Sequence, residues 1–214
     1  MSARLPATLL VIAKEPVPGR VKTRLTPPYT PQEAAALAEA ALADTLHTVR
    51  KVPVRRRVLV LDGVPGPWLP PGFDIVPQDT GGLDERIAAA FGHCDRGPAV
   101  LIGMDTPQLT ADLLAGVGRD GADAWFGPAA DGGFWALGLA DPAHAAALVR
   151  GVPMSTDRTG AIQRRRLAEA GLKVSELPVL RDVDTAADAA AVAACCPPGS
   201  RFTTTLNSLT EAGR

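Results

Sequence analysis

Lys14, Arg20, Lys22 and Arg24 place four cations within eleven residues, in the segment Lys14-Glu-Pro-Val-Pro-Gly19-Arg20-Val-Lys22-Thr23-Arg24. Cations this close repel one another unless an anion or solvent screens them. Pro16 and Pro18 limit how far the segment can flex away, and Gly19 allows the backbone to approach a ligand. Guanidinium forks and ammonium point charges both bind phosphate. The chemistry suggested is phosphate binding, with a solvated basic loop as the alternative. The GxxxxGK[ST] spacing of a Walker loop is missing. A carboxylate, Asp105, directly follows the apolar run Ala99–Met104. Mg²⁺ in nucleotide sites is held by one or two carboxylates together with phosphate oxygens and water. Asp105 can therefore be the whole protein contribution to such a site, or half of it; its other use is to cap the next turn.

Three further groups bear on chemistry. Asp182-Val-Asp184-Thr185 carries two carboxylates at i, i+2. On an extended stretch these point to opposite faces, so only one is expected to face a site, and Asp184 or Thr185 can equally cap the next helix. Gly127-Pro-Ala-Ala-Asp131-Gly132-Gly133-Phe134-Trp135 reads as a turn that leaves room for a ligand, with Asp131 a candidate general base if it faces an acceptor. Gln78-Asp-Thr-Gly81-Gly82 precedes a helix and offers backbone groups to a base or ribose, although loop closure explains it as well. His47, His93 and His144 lack partners at metal-ligand spacing, and no GxSxG, HExxH or kinase signature occurs.

The elements that must position these groups alternate. Ala7–Lys14, Arg57–Leu61, Phe73–Val76 and Ala99–Met104 have strand length and apolar character, as do Ala122–Gly127, Phe134–Leu139 and Lys173–Leu177. Helices are expected over Pro31–Lys51, Leu83–Cys94, Thr110–Val117, Pro142–Arg150, Gly160–Ala170 and Ala186–Ala194, with Thr30 and Pro31 forming a start signal for the first. Such alternation predicts a three-layer α/β/α domain with a mixed, mainly parallel sheet. Open sheets of this kind bind ligands beyond the carboxyl ends of their strands, where the segments after Lys14, Gln78 and Met104 would converge. Residues 1–196 read as one domain and 197–214 as a polar, poorly ordered tail.

The formal net charge of −1 supplies no global basic field for nucleic acid. Cys94, Cys195 and Cys196 show no zinc spacing and read as reduced, mostly buried thiols of a cytoplasmic protein. The apolar run Ala7–Ala13 is too short to span a bilayer.

Taken in order, Ala13–Leu25, Gly103–Pro107, Gly127–Phe134, Val152–Thr156 and Asp182–Thr185 resemble the motifs of the bacterial DUF2064, or glycosyltransferase-like, family. The resemblance implies a GT-A fold of the nucleotide-diphosphosugar transferase type, shared with molybdenum-cofactor and phospholactate guanylyltransferases. It implies that the basic segment holds the phosphates of a nucleotide-activated small-molecule donor, with Lys14, Gly19, Arg20, Lys22, Thr23 and Arg24 as contacts. Gln78, Gly132 and Gly133 join them, and Lys22 and Asp131 are the catalytic candidates. It further implies that Asp105 and Asp184 bind Mg²⁺ or Mn²⁺. The glycine-rich opening of the guanylyltransferases is replaced here by a proline-rich loop, so their base-reading contacts do not carry over. Glycosyl transfer from an NDP-sugar to a small acceptor is the expected reaction. Nucleotidyl transfer from an NTP to a phosphorylated small molecule is the alternative, and non-catalytic nucleotide binding a third.

Overall fold

The computed structural model describes residues 5–212. In its first strand, β1 (Leu5–Lys14), alternate side chains enter opposite layers: Leu9, Val11 and Ala13 join one buried core and Leu10 the other. A strand stretch covered on both faces must be apolar, and Leu9–Ala13 is. It pairs in parallel with β2 (Val54–Asp62) and with β4 (Ala99–Ile102), while β3 (Asp74–Pro77) pairs in parallel with the far side of β2. β6 (Phe134–Leu139) runs antiparallel between β4 and β5 (Ala124–Pro128), and β7 (Val174–Glu176) lies parallel to β5. The seven-stranded order is β3-β2-β1-β4-β6-β5-β7. The mixed, mainly parallel sheet between helical layers agrees with the expectation from sequence.

One layer is built on α1 (Pro31–Lys51). Thr30 accepts from the Glu33 amide at 3.2 Å while Glu33 accepts from the Thr30 amide at 2.7 Å, a reciprocal cap worth about 1 kcal/mol. Leu42, Leu46 and Val49 face the sheet; Ala34, Leu37 and Ala41 face outward, against α5 (Ala186–Ala193) and α6 (Arg201–Ala212). Covered on two sides, α1 needs small side chains, which accounts for its alanines. The opposite layer comprises α2 (Leu83–Phe91), α3 (Ala145–Val149) and α4 (Thr159–Glu169), which seat Ile87, Phe91, Leu148 and Leu167 in the second core.

Several expectations change. Residues 197–212 are not a poorly ordered tail: α6 buries Phe202 and Leu206 against α1 and α5. Asp44 of α1 starts it, accepting from Ser200 Oγ at 2.8 Å and from the Arg201 and Phe202 amides at 3.1 and 2.9 Å. Thr110–Val117 forms only a 3-10 turn at Ala111–Leu114, because the Thr110 side chain caps nothing and glycines follow at 116 and 118. Cys94 and Cys196 are half-buried and unpaired, but Cys195 is exposed rather than buried. Among the described residues no helix is long and apolar enough to cross a membrane.

Candidate active site

The strands end where the chemistry-bearing residues begin. β1 stops at Lys14, and the backbone of Lys14 donates to Met104 Sδ at 3.3 Å, joining the exits of β1 and β4. Asp105 lies three residues beyond β4, and its carbonyl accepts from the Val183 amide at 3.1 Å, which draws the Asp182–Asp184 segment across to it. A cavity of about 750 Å³ opens over this edge. Lys14, Arg20, Lys22, Thr23, Arg24, Gln78, Asp105, Asp131, Gly133 and Asp184 all line it.

Lys22 is the hub. Its ammonium bridges the Asp105 carboxylate and Asp184 Oδ1, the latter at 2.9 Å, while Arg24 approaches Asp184 Oδ2 at 3.4 Å. The Lys22 side chain is only 10 % exposed. Burial alone would lower its pKa, but the Asp105 and Asp184 carboxylates outweigh burial and hold the ammonium well above the usual lysine range. Its backbone is left-handed, with φ 48°, a conformation that costs a non-glycine residue roughly 1 kcal/mol. Ser155, with φ 58°, is the other left-handed non-glycine among the described residues, and it lines the same cavity. Such strain persists where surrounding structure enforces it and clusters at functional sites.

The two aspartates of the 182–184 segment do not divide between faces as alternation would require: both line the cavity. The segment joins the sheet only through isolated contacts such as the Ala129–Leu180 bridge, so no continuous ladder imposes a pleat. Asp182 keeps one oxygen buried without a partner. Burial first, then the Asp105 charge, pushes its carboxyl up to about 8, with Asp131 and Asp184 adding and Lys22 opposing. Helix capping falls to Thr185, which accepts from the Asp188 amide at 3.2 Å.

Other candidates are used differently from expectation. Gln78 spends its amide inside the protein: Nε2 donates to the Ala13 and Val60 carbonyls at 2.6 and 3.3 Å, and Oε1 accepts from Arg86 at 3.0 Å. It therefore positions Arg86, a cavity-lining cation the sequence reading passed over, whose Nε is buried without a partner. Gly132 does not line the cavity; a Cβ there would meet the Asp157 carbonyl oxygen at 2.0 Å, so its bareness serves packing against the chain before α4. Gly19 also lies off the cavity wall and supplies a positive φ of 75° in the turn before Arg20. Asp131 keeps its place at the rim, with Oδ1 accepting from the Gly133 amide at 2.8 Å. Trp135 fills the core beneath Gly127 and donates to the Pro178 carbonyl at 2.9 Å.

Five cations (Lys14, Arg20, Lys22, Arg24, Arg86) and six aspartates (105, 131, 157, 182, 184, 188) share the lining. A phosphate-bearing ligand therefore meets acid as well as base, and a cation between the two kinds of oxygen would reconcile them. The donors fit Mg²⁺ or Mn²⁺: carboxylate oxygens are hard ligands, and the Lys22 ammonium already acts as a stand-in cation between Asp105 and Asp184. Among the described residues no three acidic, histidine or cysteine side chains converge as a closed metal centre. An open pair of carboxylates completed by phosphate and water is the arrangement expected of Mg²⁺ at a nucleotide.

Residues 30–156, more than half of the chain, match the family DUF2064, described as an uncharacterized protein conserved in bacteria. The chain belongs to the DUF2064 family. A search of curated proteins gives no match. Among solved structures, the DUF2064 chain is similar to a protein of Desulfovibrio desulfuricans G20 provisionally described as a nucleotide-diphospho-sugar transferase. The two share 24% identity and a TM-score of 0.85 over 97% of this chain and 95% of that one. The Mycobacterium sp. strain JC1 homologue of a Mycobacterium tuberculosis protein gives 23% identity and a TM-score of 0.57 over 90% and 98%. An inositol-1-phosphate CTP transferase from T. maritima gives 10% identity and a TM-score of 0.52 over 96% of each chain. At these identities the likenesses establish the fold, which is of the nucleotide-diphospho-sugar transferase type.

Proposed function

We propose that this DUF2064 protein is a cation-dependent transferase using a nucleotide-activated donor, and that its reaction is glycosyl transfer from an NDP-sugar to a small hydroxyl-bearing acceptor. The observation that carries the reading is the convergence of Lys22, Arg24, Asp105 and Asp184 at the carboxyl edge of the parallel strands. That edge is where open α/β sheets bind ligands. The resemblance to glycosyltransferase-like proteins and the fold of the Desulfovibrio desulfuricans protein support the choice of an NDP-sugar.

In this reading Lys14, Arg20, Lys22 and Arg24 bind the diphosphate, with Thr23 beside them. The acceptor oxygen bonds to the anomeric carbon as the bond from that carbon to the phosphate oxygen breaks. The bonding pair leaves with the nucleoside diphosphate, and the hydroxyl proton passes to the Asp131 carboxylate. Asp131 is suited to this because the Gly133 amide fixes one of its oxygens. Arg20, Lys22 and Arg24 stabilise the negative charge that builds on the departing diphosphate. Asp105 and Asp184 would hold Mg²⁺ or Mn²⁺, which supplies additional charge neutralisation to the same leaving group.

The test is a panel of NDP-sugars and NTPs incubated with and without Mn²⁺, followed by assay of released nucleoside diphosphate and pyrophosphate. Mn²⁺-dependent release of nucleoside diphosphate, reduced at least about 100-fold in Asp105→Asn, is the expected result. Pyrophosphate release from an NTP would replace glycosyl transfer with nucleotidyl transfer. Saturable binding with neither product would leave a nucleotide-binding protein.

A further inference from the structure

We propose that Lys22 is an internal counter-cation: its ammonium occupies the space between Asp105 and Asp184, and it must release both carboxylates for a divalent ion to be bound there. This rests on the reading of those two aspartates as cation ligands, and adds that Lys22 changes partners during the binding of cation and donor.

The contact geometry requires the exchange. Lys22 Nζ touches the Asp105 carboxylate and lies 2.9 Å from Asp184 Oδ1, so it fills the space between the two carboxylates that would hold the ion. Two positive centres cannot share that half-buried gap, because little solvent separates or screens them. The surroundings leave the aspartates in place when the ammonium departs. Asp184 retains Arg24 at Oδ2, 3.4 Å away, and Asp105 is tied through its carbonyl to the Val183 amide at 3.1 Å.

Lys22 also has reason and means to move. It precedes the 3-10 turn Thr23–Leu25 in a left-handed conformation, φ 48° and ψ 40°. Three residues upstream, Gly19 provides a second positive-φ joint at 75°. The neighbours Arg20, Thr23 and Arg24 line the same cavity, so a released Lys22 ammonium is already among the groups that meet the donor's phosphates. Cation and donor then assist each other: the first frees Lys22 and the second gives it a new partner, and such coupling is reciprocal.

The experiment measures Mn²⁺ binding without nucleotide, by calorimetry and by Mn²⁺ paramagnetic resonance, for the wild type and Lys22→Met, a variant of similar length without charge. In parallel, wild-type protein is acetylated with and without saturating Mn²⁺, and modification of Lys22 is followed by peptide mass spectrometry. The proposal expects Lys22→Met to bind Mn²⁺ at least ten-fold more tightly, and Lys22 acetylation to accelerate several-fold when Mn²⁺ is bound. Mn²⁺ binding with Lys22 still protected overturns the proposal whatever the variant's affinity, as does equal or weaker binding by the variant, while both leave Asp105 and Asp184 as cation ligands. Absence of Mn²⁺ binding in both proteins removes that underlying reading and the proposal together. The acetylation measurement needs only the wild type, so it stands even if the variant does not fold.

Discussion

Thr185 caps α5 and thereby leaves its neighbour Asp184 free to pair with Lys22. The Thr185 hydroxyl accepts from the Asp188 amide at 3.2 Å and donates to Asp188 Oδ2 at 2.7 Å, while Asp184 Oδ1 lies 2.9 Å from the ammonium. Adjacent residues thus serve stability and chemistry separately. Thr185→Ala should cost about 1 kcal/mol and lower Tm by roughly 2–4 °C, with modest effect on turnover. Asp184→Asn should keep Tm within a few degrees and lose Mn²⁺ binding and transfer. Calorimetric melting and Mn²⁺ titration of the two variants separate the roles.

Gly132 and Gly19 both fit the sequence expectation of a glycine that admits a ligand, and the structure separates them. A Cβ at Gly132 would lie 2.0 Å from the Asp157 carbonyl oxygen, whereas at Gly19 nothing lies within 4 Å. Gly132→Ala should destabilise by about 3 kcal/mol or more through backbone displacement. Gly19→Ala should cost only the conformational term, roughly 1 kcal/mol. Urea denaturation measures the difference; equal losses would contradict the packing account.

The cysteines should differ in reactivity. Burial pushes the Cys94 thiol up to about 11, so at pH 8 about one molecule in a thousand carries the reactive thiolate. Cys195 is exposed. Ellman's reagent at pH 8 should modify Cys195 quickly and Cys94 only slowly until denaturant is added.

Asp120 ties the Trp125 indole into the core, accepting from Nε1 at 3.1 Å. Partial burial works to raise its pKa, but bonds from Ser175, the Ala122 amide and Trp125 prevail and hold it below the usual carboxylate value. The unfolded chain then binds the proton more readily, so the stabilisation is present above the unfolded pKa, about 4, and is lost as pH falls through the folded value. Asp120→Asn should therefore melt below the wild type at pH 7, and the gap should narrow below pH 4 in thermal scans.

Much of this architecture is written in local pattern. Thr30, Pro31 and Glu33 announce the start of α1, and the apolar runs announce the doubly covered strands. The basic segment and Asp105 were legible because strand ends in such sheets lie at the ligand edge. That Asp182 would face the cavity together with Asp184 was not, since the alternation rule assumes a ladder that this stretch lacks. The pairing of Arg86 with Gln78 escaped because it spans α2 and the end of β3, and nothing in eight residues of spacing reveals it. For α6 a signal existed: Phe202, Leu206 and Leu209 follow the i, i+4, i+7 spacing of an amphipathic helix. The surrounding threonines and serines obscured it.

An acidic pair that carries its own ammonium has no electrostatic reason to unravel when a chelator is present. Unlike small domains whose folding depends on bound zinc, this protein should stay folded in EDTA with its circular dichroism intact and its melting temperature lower only by the binding energy of the lost cation, losing transfer and regaining it when Mn²⁺ is restored. The Lys22 bridge to Asp105 and Asp184 would thus hide a metal requirement from a spectrum that reads only the folded state.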